Sequence, residues 1–204
     1  MFYSNLIGGS KVREVEPIRD KSKIDKMKQI LKKNSVRDYL LFTLGINSGL
    51  RISDLLELRV QDILSMDGKV KKFVEIQEKK TGKTKKFAIN KTTEKAIKDY
   101  IKEYEISPAE DKARYVFKSR KGNNRPINRT QAWKIINEAG AAAGIQSKVG
   151  THTLRKTFGN FAYKNGVDLS LLQKIFNHSS PGITLRYIGI VQEEIDEVYV
   201  NMNL

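Results

Sequence analysis

The chain has only two histidines in 204 residues, His152 and His178. Both fall in one window, Thr151 to Ile188, which also carries Arg155 and Tyr187. His152 lies three residues before Arg155, so a helix begun here brings the two onto one side. His178 sits in a Phe-Asn-His-Ser-Ser-Pro-Gly turn that ends an apolar helix, and Tyr187 follows nine positions later in a Thr-Leu-Arg-Tyr run. An arginine, two imidazoles and a phenol are the groups that can hold a phosphodiester and attack it. Each residue alone has a plainer reading. A lone histidine is more often a satisfied structural residue, and most of the eight tyrosines should fill core positions. Tyr163 reads as part of an interior helix and Tyr199 as part of the tail. Only Tyr187 has this spacing from His178.

The order His-x-x-Arg, His, Tyr resembles the C-terminal signature of the tyrosine recombinases, also called the phage integrase family. That resemblance implies a second arginine upstream and a lysine in a hairpin between the two arginines. Both have counterparts, in Ser48-Gly49-Leu50-Arg51-Ile52-Ser53-Asp54 and in Lys80-Thr81-Gly82-Lys83. The match runs from about residue 20 to 190, with its pieces in the expected order. One piece would be a weak signal; five in order are a strong one.

The resemblance implies that Arg51, Lys80, His152, Arg155, His178 and Tyr187 form one catalytic set. Two arginines on one phosphate can satisfy both non-bridging oxygens and neutralise the charge that grows during attack. Gly49 can end the preceding helix in a left-handed conformation, which puts Arg51 at the mouth of the next helix. Asp54, three residues on, is expected to brace the Arg51 guanidinium; outside this context the pair reads as a surface ion pair worth little. By the resemblance, His152 assists proton transfer from the tyrosine, while His178 donates a hydrogen bond and packs. Asn177 stands where the family usually has glycine, so the turn before His178 should differ in detail. Lys80 is read as the general acid for the departing 5′ oxygen. Lys79, Lys83, Lys85 and Lys86 crowd the same turn and are read as DNA-binding side chains, and the whole group could equally be a phosphate-steering cluster. Tyr187 is the candidate nucleophile. A phenol is protonated at neutral pH, so it needs a base and a charge-neutralised target.

These side chains need a scaffold, and the apolar spacing describes one. Helices are expected over Ser22 to Lys33, Val36 to Asn47, Ile52 to Leu58, Thr92 to Glu105, Arg129 to Ala143, Thr153 to Lys164 and Leu169 to Phe176. Strands are expected over Val70 to Gln77 and Lys85 to Ile89, joined by the basic turn at Thr81-Gly82. An acidic amphipathic helix over Gln192 to Met202 closes the chain. The fold class is therefore mainly α with a small antiparallel β-sheet, as the resemblance also implies. Residues 1–20 read as an arm or leader, 21–190 as the catalytic domain, and 191–204 as a tail that relatives dock on a neighbouring subunit. Twenty residues cannot form the separate N-terminal clamp domain that larger members of the family carry.

Bulk composition agrees with this chemistry and excludes other kinds. Lys and Arg total 38 against 23 acidic residues, a formal net charge of +15, which favours a polyanionic partner and nucleic acid before membrane. With no cysteine there is neither a disulfide nor a thiolate metal site, and two separated histidines make a zinc site unexpected. No run reaches membrane-spanning length and the N-terminus lacks a signal-peptide core, so a soluble intracellular protein is expected. The resemblance implies a recombinase that cuts and rejoins double-stranded DNA, without cofactor or metal, as a homo-oligomer of up to four subunits on DNA. Two alternatives stay open: a type IB topoisomerase-like activity, and a non-catalytic DNA-binding module or regulator of the same fold.

Overall fold

In the computed structural model, which describes residues 15–190, 196 and 199–202, helices begin where the sequence supplies a side-chain acceptor. Asp20 caps α1 (Lys21–Asn34) and Ser35 caps α2 (Val36–Ser48), each accepting a backbone N–H of the first turn. Gly49 ends α2 at φ 60°, and the chain re-enters helix at once as α3 (Ile52–Leu56), followed by the single turn α4 (Val60–Ile63). Strands β1 (Phe73–Gln77) and β2 (Thr84–Ala88) pair antiparallel, Phe73 opposite Ala88 and Gln77 opposite Thr84. Asn90 and Asn128 cap α5 (Lys91–Glu103) and α6 (Arg129–Ala142). The last three described helices are α7 (Thr151–Lys164), α8 (Leu169–Phe176) and α9 (Pro181–Ile188). The molecule is mainly helical with one two-stranded antiparallel sheet, as the patterning indicates.

α2 is the central rod. Leu40, Leu41, Phe42 and Leu44 are fully buried on successive sides, because α1, α5 and α7 all pack around it. Gly45 lets α7 come close, since a Cβ there would lie 2.6 Å from Leu154 Cδ1. α7 faces two ways. Leu154 joins the main core, while Phe158 and Ala162 pack against a smaller cluster of Leu172, Phe176 and Ile188 from α8 and α9. That satellite cluster carries the end of the chain on which Tyr187 sits.

Three features depart from the sequence expectations. Val70 lies outside β1 and forms an isolated antiparallel bridge with Leu64, so the strand starts later than its apolar pattern suggests. α9, which the spacing leaves unassigned, is a full helix. Residues 15–20 are not a separate arm. Pro17 and Ile18 are buried, and the Ile18 N–H donates to Thr157 Oγ1 at 2.9 Å, which fastens this segment onto α7. Residues 1–14 and most of the expected tail helix lie outside the described residues.

Candidate active site

Arg155 organises the centre. It projects from the second turn of α7 and is only 3% exposed. Its Nη1 donates to Gly49 O at 2.5 Å and its Nη2 to Phe176 O at 2.8 Å. The guanidinium thus ties the end of α2 to the end of α8, lying 4.6 Å over the Phe176 ring. A guanidinium has five donors, so donors remain, and the neighbouring Tyr187 side chain offsets part of the cost of burying the Arg155 charge. Gly49 cannot be another residue here: its φ is positive and a Cβ would meet Phe158 Cδ1 at 2.7 Å.

Arg51 stands at the N-cap of α3, directly after that glycine turn. Its carboxylate partner corrects the sequence reading. Arg51 Nη1 lies 2.6 Å from Glu78 Oε1, not against Asp54. As an N-cap residue Arg51 has extended backbone, so its side chain does not run along α3 toward the i+3 position. Glu78 instead reaches it from the end of β1. Asp54 is buried and accepts the backbone N–H of Lys79 at 3.1 Å, which fixes the hairpin to α3. Burial opposes the Glu78 carboxylate, yet hydrogen bonds from Arg51 and Thr81 outweigh it and hold its pKa below the usual range.

The hairpin lysines separate into distinct roles. Lys80 is exposed at the turn and has no side-chain partner among the described residues. Lys79 pairs with Glu57 at 2.7 Å, and Lys86 lies 4.9 Å over the exposed Phe73 ring. Lys83 Nζ donates to Asn177 Oδ1 at 3.3 Å. Lys85, read with the others as a DNA-binding side chain, does not share their outward direction. Strand alternation turns it inward, where Nζ donates to Ile175 O at 3.1 Å and lies 3.5 Å from Gly49 O. Burial, and next the neighbouring Arg155, push its pKa down to about 8, partly opposed by Glu78. Glu78, Lys83, Lys85, Lys174, Phe158 and Asn177 line a cleft of about 550 Å³ beneath the hairpin. Tyr187 and Arg155 are not among the residues that line that cleft.

Tyr187 is presented by α9. Ser180 caps this helix and Pro181 opens it, with its fixed φ and no N–H to leave unpaired. His178 precedes it in the turn, and Asn177 explains how that turn forms without glycine. Asn177 adopts φ 52°, ψ 48°, a left-handed conformation that asparagine tolerates, and its side chain also receives Lys83. The His178 ring packs edge-on against Tyr187, with centroids 4.9 Å apart, and lies 5.3 Å from Phe176. Thr184 Oγ1 donates to Ser180 O, so at 3.1 Å it accepts from His178 Nδ1, leaving Nε2 for a ligand. Desolvation lowers the His178 pKa, followed by Arg155 and Arg51. His152 opens α7 on the same face as Arg155. It is solvent-exposed at its rim but desolvated enough that burial, then Lys156, Arg155 and Arg129, lower its pKa.

The structure therefore gathers Arg51, Arg155, His178 and Tyr187 around one face, with His152 beside them and Lys80 on the hairpin above. Sequence reasoning passed over Glu78 and Asn160, and it named Lys85 without its inward direction. Asn160 Nδ2 donates to Ile188 O at 3.0 Å and holds the end of α9 against α7. Among the described residues no cluster of His, Cys, Asp and Glu could hold a metal ion, and no helix is long and apolar enough to cross a membrane.

The chain is 43% identical over 185 residues to a probable integrase/recombinase of Bacillus subtilis, YoeC, covering 91% of this chain and 95% of that one. It is 29% identical over 182 residues to the tyrosine recombinase XerA of Pyrococcus furiosus, of which it spans 60%. Among solved structures, a XerA recombinase superposes with a TM-score of 0.72 at 21% identity, over 94% of this chain and 67% of that one. The XerH recombinase in a post-cleavage complex with its difH substrate gives 0.71 at 19%, over 98% and 56%. The family model described as the phage integrase family matches residues 18–194, and the chain belongs to that family, the tyrosine recombinases.

Proposed function

We propose that this protein cuts and rejoins double-stranded DNA, with Tyr187 as the nucleophile. The observation that carries the reading is Tyr187 set beside the buried Arg155, with His178 against the same ring. Arg51 and Arg155 hold the scissile phosphate and balance the charge of the pentacoordinate transition state. The phenol oxygen bonds to phosphorus while the bond to the 5′ oxygen breaks. The phenolic proton passes to His152, which its lowered pKa keeps neutral and able to accept. Lys80 supplies the proton that the departing 5′ oxygen needs. The product is a 3′-phosphotyrosyl link and a free 5′-hydroxyl. A 5′-hydroxyl from another strand reverses the step and joins the DNA in a new order. The ester keeps the energy of the broken bond, so rejoining needs no nucleotide.

Glu78 serves this reaction by fixing Arg51, and Lys85 by bracing Gly49 O, which also receives Arg155, together with Ile175 O. The assembled form is a homo-oligomer of up to four copies on DNA, in the nucleoid-containing cytoplasm, acting on phage or other mobile DNA. The test is a suicide DNA substrate, nicked so that the cleaved 5′ fragment diffuses away, read on a denaturing gel. Wild type should form a covalent adduct that maps to Tyr187 by mass spectrometry. Tyr187→Phe keeps nearly all of the ring packing and should bind DNA normally, yet form no adduct and no exchanged strands. An adduct on another residue, or one persisting in Tyr187→Phe, defeats the assignment. Relaxation without strand exchange would favour topoisomerase-like activity instead.

A further inference from the structure

A second concentration of positive charge lies at the far end of α2, where the reaction described above has no use for it. α2 runs from Arg37 in its first turn to Gly49, whose carbonyl receives Arg155, so the two ends stand about 18 Å apart along the helix. At the Arg37 end, Arg37, Tyr100, Tyr104, Arg114, Lys118 and Arg120 wall a cleft of about 370 Å³, and no carboxylate is among the residues that line it. On a chain of net charge +15, exposed lysines are unremarked surface. Two guanidiniums withdrawn from water are not, because burying charge is costly unless it is paired. The side chains of Arg37 and Arg114 are 15% and 25% exposed, and each meets a carboxylate, Asp38 at 2.8 Å and Asp111 at 3.3 Å. Arg37 also donates through Nη1 to Lys118 O at 2.7 Å, which fixes its fork in place. Arg114 Nε is buried and has no hydrogen-bond partner. Lys118 and Arg120 have no side-chain partner among the described residues. The arginines are thus neutralised by their carboxylates, and the two further cations are left in excess.

We propose that this cleft binds the phosphate group of a nucleotide unit, with the sugar or base against Tyr104. Phosphate suits the donors: a guanidinium fork gives paired N–H groups to two oxygens, and a lysine adds a point charge. A buried Nε–H left unmatched costs free energy that an oxygen ligand recovers. The aromatic wall is a feature that a bare inorganic anion would leave unused. Tyr104 is 37% exposed, and its ring packs on Tyr100 with centroids 4.9 Å apart and the Arg114 guanidinium 5.9 Å away. Burial pushes the Tyr100 phenol up to about 12, so it enters the site as a neutral hydroxyl and not as a competing anion. The basic wall is also preformed. Lys118 bridges antiparallel to Pro126, and Gly122 turns the segment between them at φ 82°. Asn124 pins that turn, its Oδ1 accepting the Tyr115 N–H at 3.0 Å and its Nδ2 donating to Ala113 O at 2.9 Å. Little ordering is left for a ligand to impose, which favours binding. Two sources carry this chemistry, the backbone of a DNA duplex and a free nucleotide. Neither depends on which residue attacks the DNA.

The experiment uses the full chain with Lys118→Gln and Arg120→Gln combined, since neither side chain has a partner whose loss would disturb the fold. A control of equal charge change combines Lys26→Gln and Lys33→Gln, two exposed lysines of α1. ADP is titrated by calorimetry at low salt, and a duplex of random sequence by fluorescence anisotropy over a range of salt. Wild type and control should bind ADP alike, and the cleft variant about tenfold to hundredfold more weakly, the loss that charge-assisted hydrogen bonds imply. If the duplex is the source, the cleft variant should also lose duplex affinity beyond the control. Its slope of log K against log salt should then be shallower by about one to two, and duplex should displace ADP from wild type. If a free nucleotide is the source, cleft variant and control should bind duplex alike, and ADP should bind the DNA complex. A cleft variant that binds both ADP and duplex as the control does overturns the proposal, as does a wild type that binds no ADP at millimolar concentration.

Discussion

Gly159 lies in the middle of α7, where the helix touches both α8 and α9. A Cβ at this position would fall 2.5 Å from Ile188 Cγ2 and 2.7 Å from Phe176 Cε2 and Cζ. Carbon atoms settle near 3.5–4.0 Å, so Gly159→Ala must push the α8–α9 pair away by about 1 Å. Overpacking of this kind costs about 1–3 kcal/mol. Replacing a mid-helix glycine by alanine returns about 0.8–1.0 kcal/mol of helix propensity. The net loss is about 0–2 kcal/mol, or at most about 8 °C in melting temperature for a domain of this size. Activity should suffer far more. A displacement of about 1 Å at the reacting atoms costs on the order of a hundredfold, and Ile188 is the direct neighbour of Tyr187. Adduct formation on the suicide substrate, measured beside thermal unfolding, should fall about a hundredfold in a protein that remains folded. Gly182→Ala is the control for propensity, because a Cβ there meets nothing within 4 Å and the protein should melt no lower than wild type. A Gly159→Ala protein that cleaves within a few-fold of the wild-type rate would refute the argument that α7 sets the position of the nucleophile.

Lys80→Ala should slow cleavage by about a hundredfold to ten-thousandfold, the usual range for a general acid, with normal rate restored by a 5′-phosphorothiolate substrate whose leaving group needs no proton. Lys85→Ala should lose activity without that rescue, because it loosens the contacts at Gly49 and Ile175; rescue of Lys85→Ala but not Lys80→Ala would transfer the acid role to Lys85. His178, with a pKa below its ordinary 6.5, is neutral at pH 7 with its proton on Nδ1, so donating to a phosphate through Nε2 requires a second proton. DNA binding at pH 7 should therefore take up a proton, measured by calorimetry in buffers of different ionisation enthalpy, and His178→Asn should abolish the uptake. In the free protein, stability should fall as pH drops through 6.5, since the unfolded chain binds protons that the folded histidines resist; an unchanged melting temperature between pH 7 and 5.5 would contradict the lowered values of His152 and His178.

What was legible in the sequence was local. Gly49 announces the end of α2 because its conformation excludes most other residues. The missed elements were short or depended on distant partners. α9 has a serine cap, a proline at its start and Gly189 at its end, but eight residues are too few for apolar periodicity to stand out. Lys85 and Lys86 are neighbours of identical chemistry. Only the pairing of β1 with β2 decides that Lys85 turns inward and Lys86 outward. Glu78 could not be matched to Arg51 from sequence, because Asp54 was nearer along the chain. Asn177 holds the left-handed turn that glycine would also adopt, because asparagine tolerates that conformation.

The placement of the nucleophile follows from the division of the core. Arg51 and Arg155 are anchored in the main body through Gly49 and Glu78, where α2 and α3 are thoroughly buried. Tyr187 belongs to a satellite cluster in which, among the described residues, Leu172, Phe176 and Ile188 are the fully buried members. So small an apolar contact gives α9 a low local stability compared with the body. What holds it is a set of polar tethers to backbone carbonyls at its end: Asn160 to Ile188 O at 3.0 Å, and Arg19 to Gly189 O at 2.5 Å. Arg19 comes from the segment before α1, so the first described residues of the chain clamp the helix that carries the nucleophile. Such contacts are directional, and a shift that breaks one does not require the main core to open. The arginines proposed to hold the phosphate can therefore stay rigid while the proposed nucleophile moves relative to them, which a reaction that must both cleave and release requires.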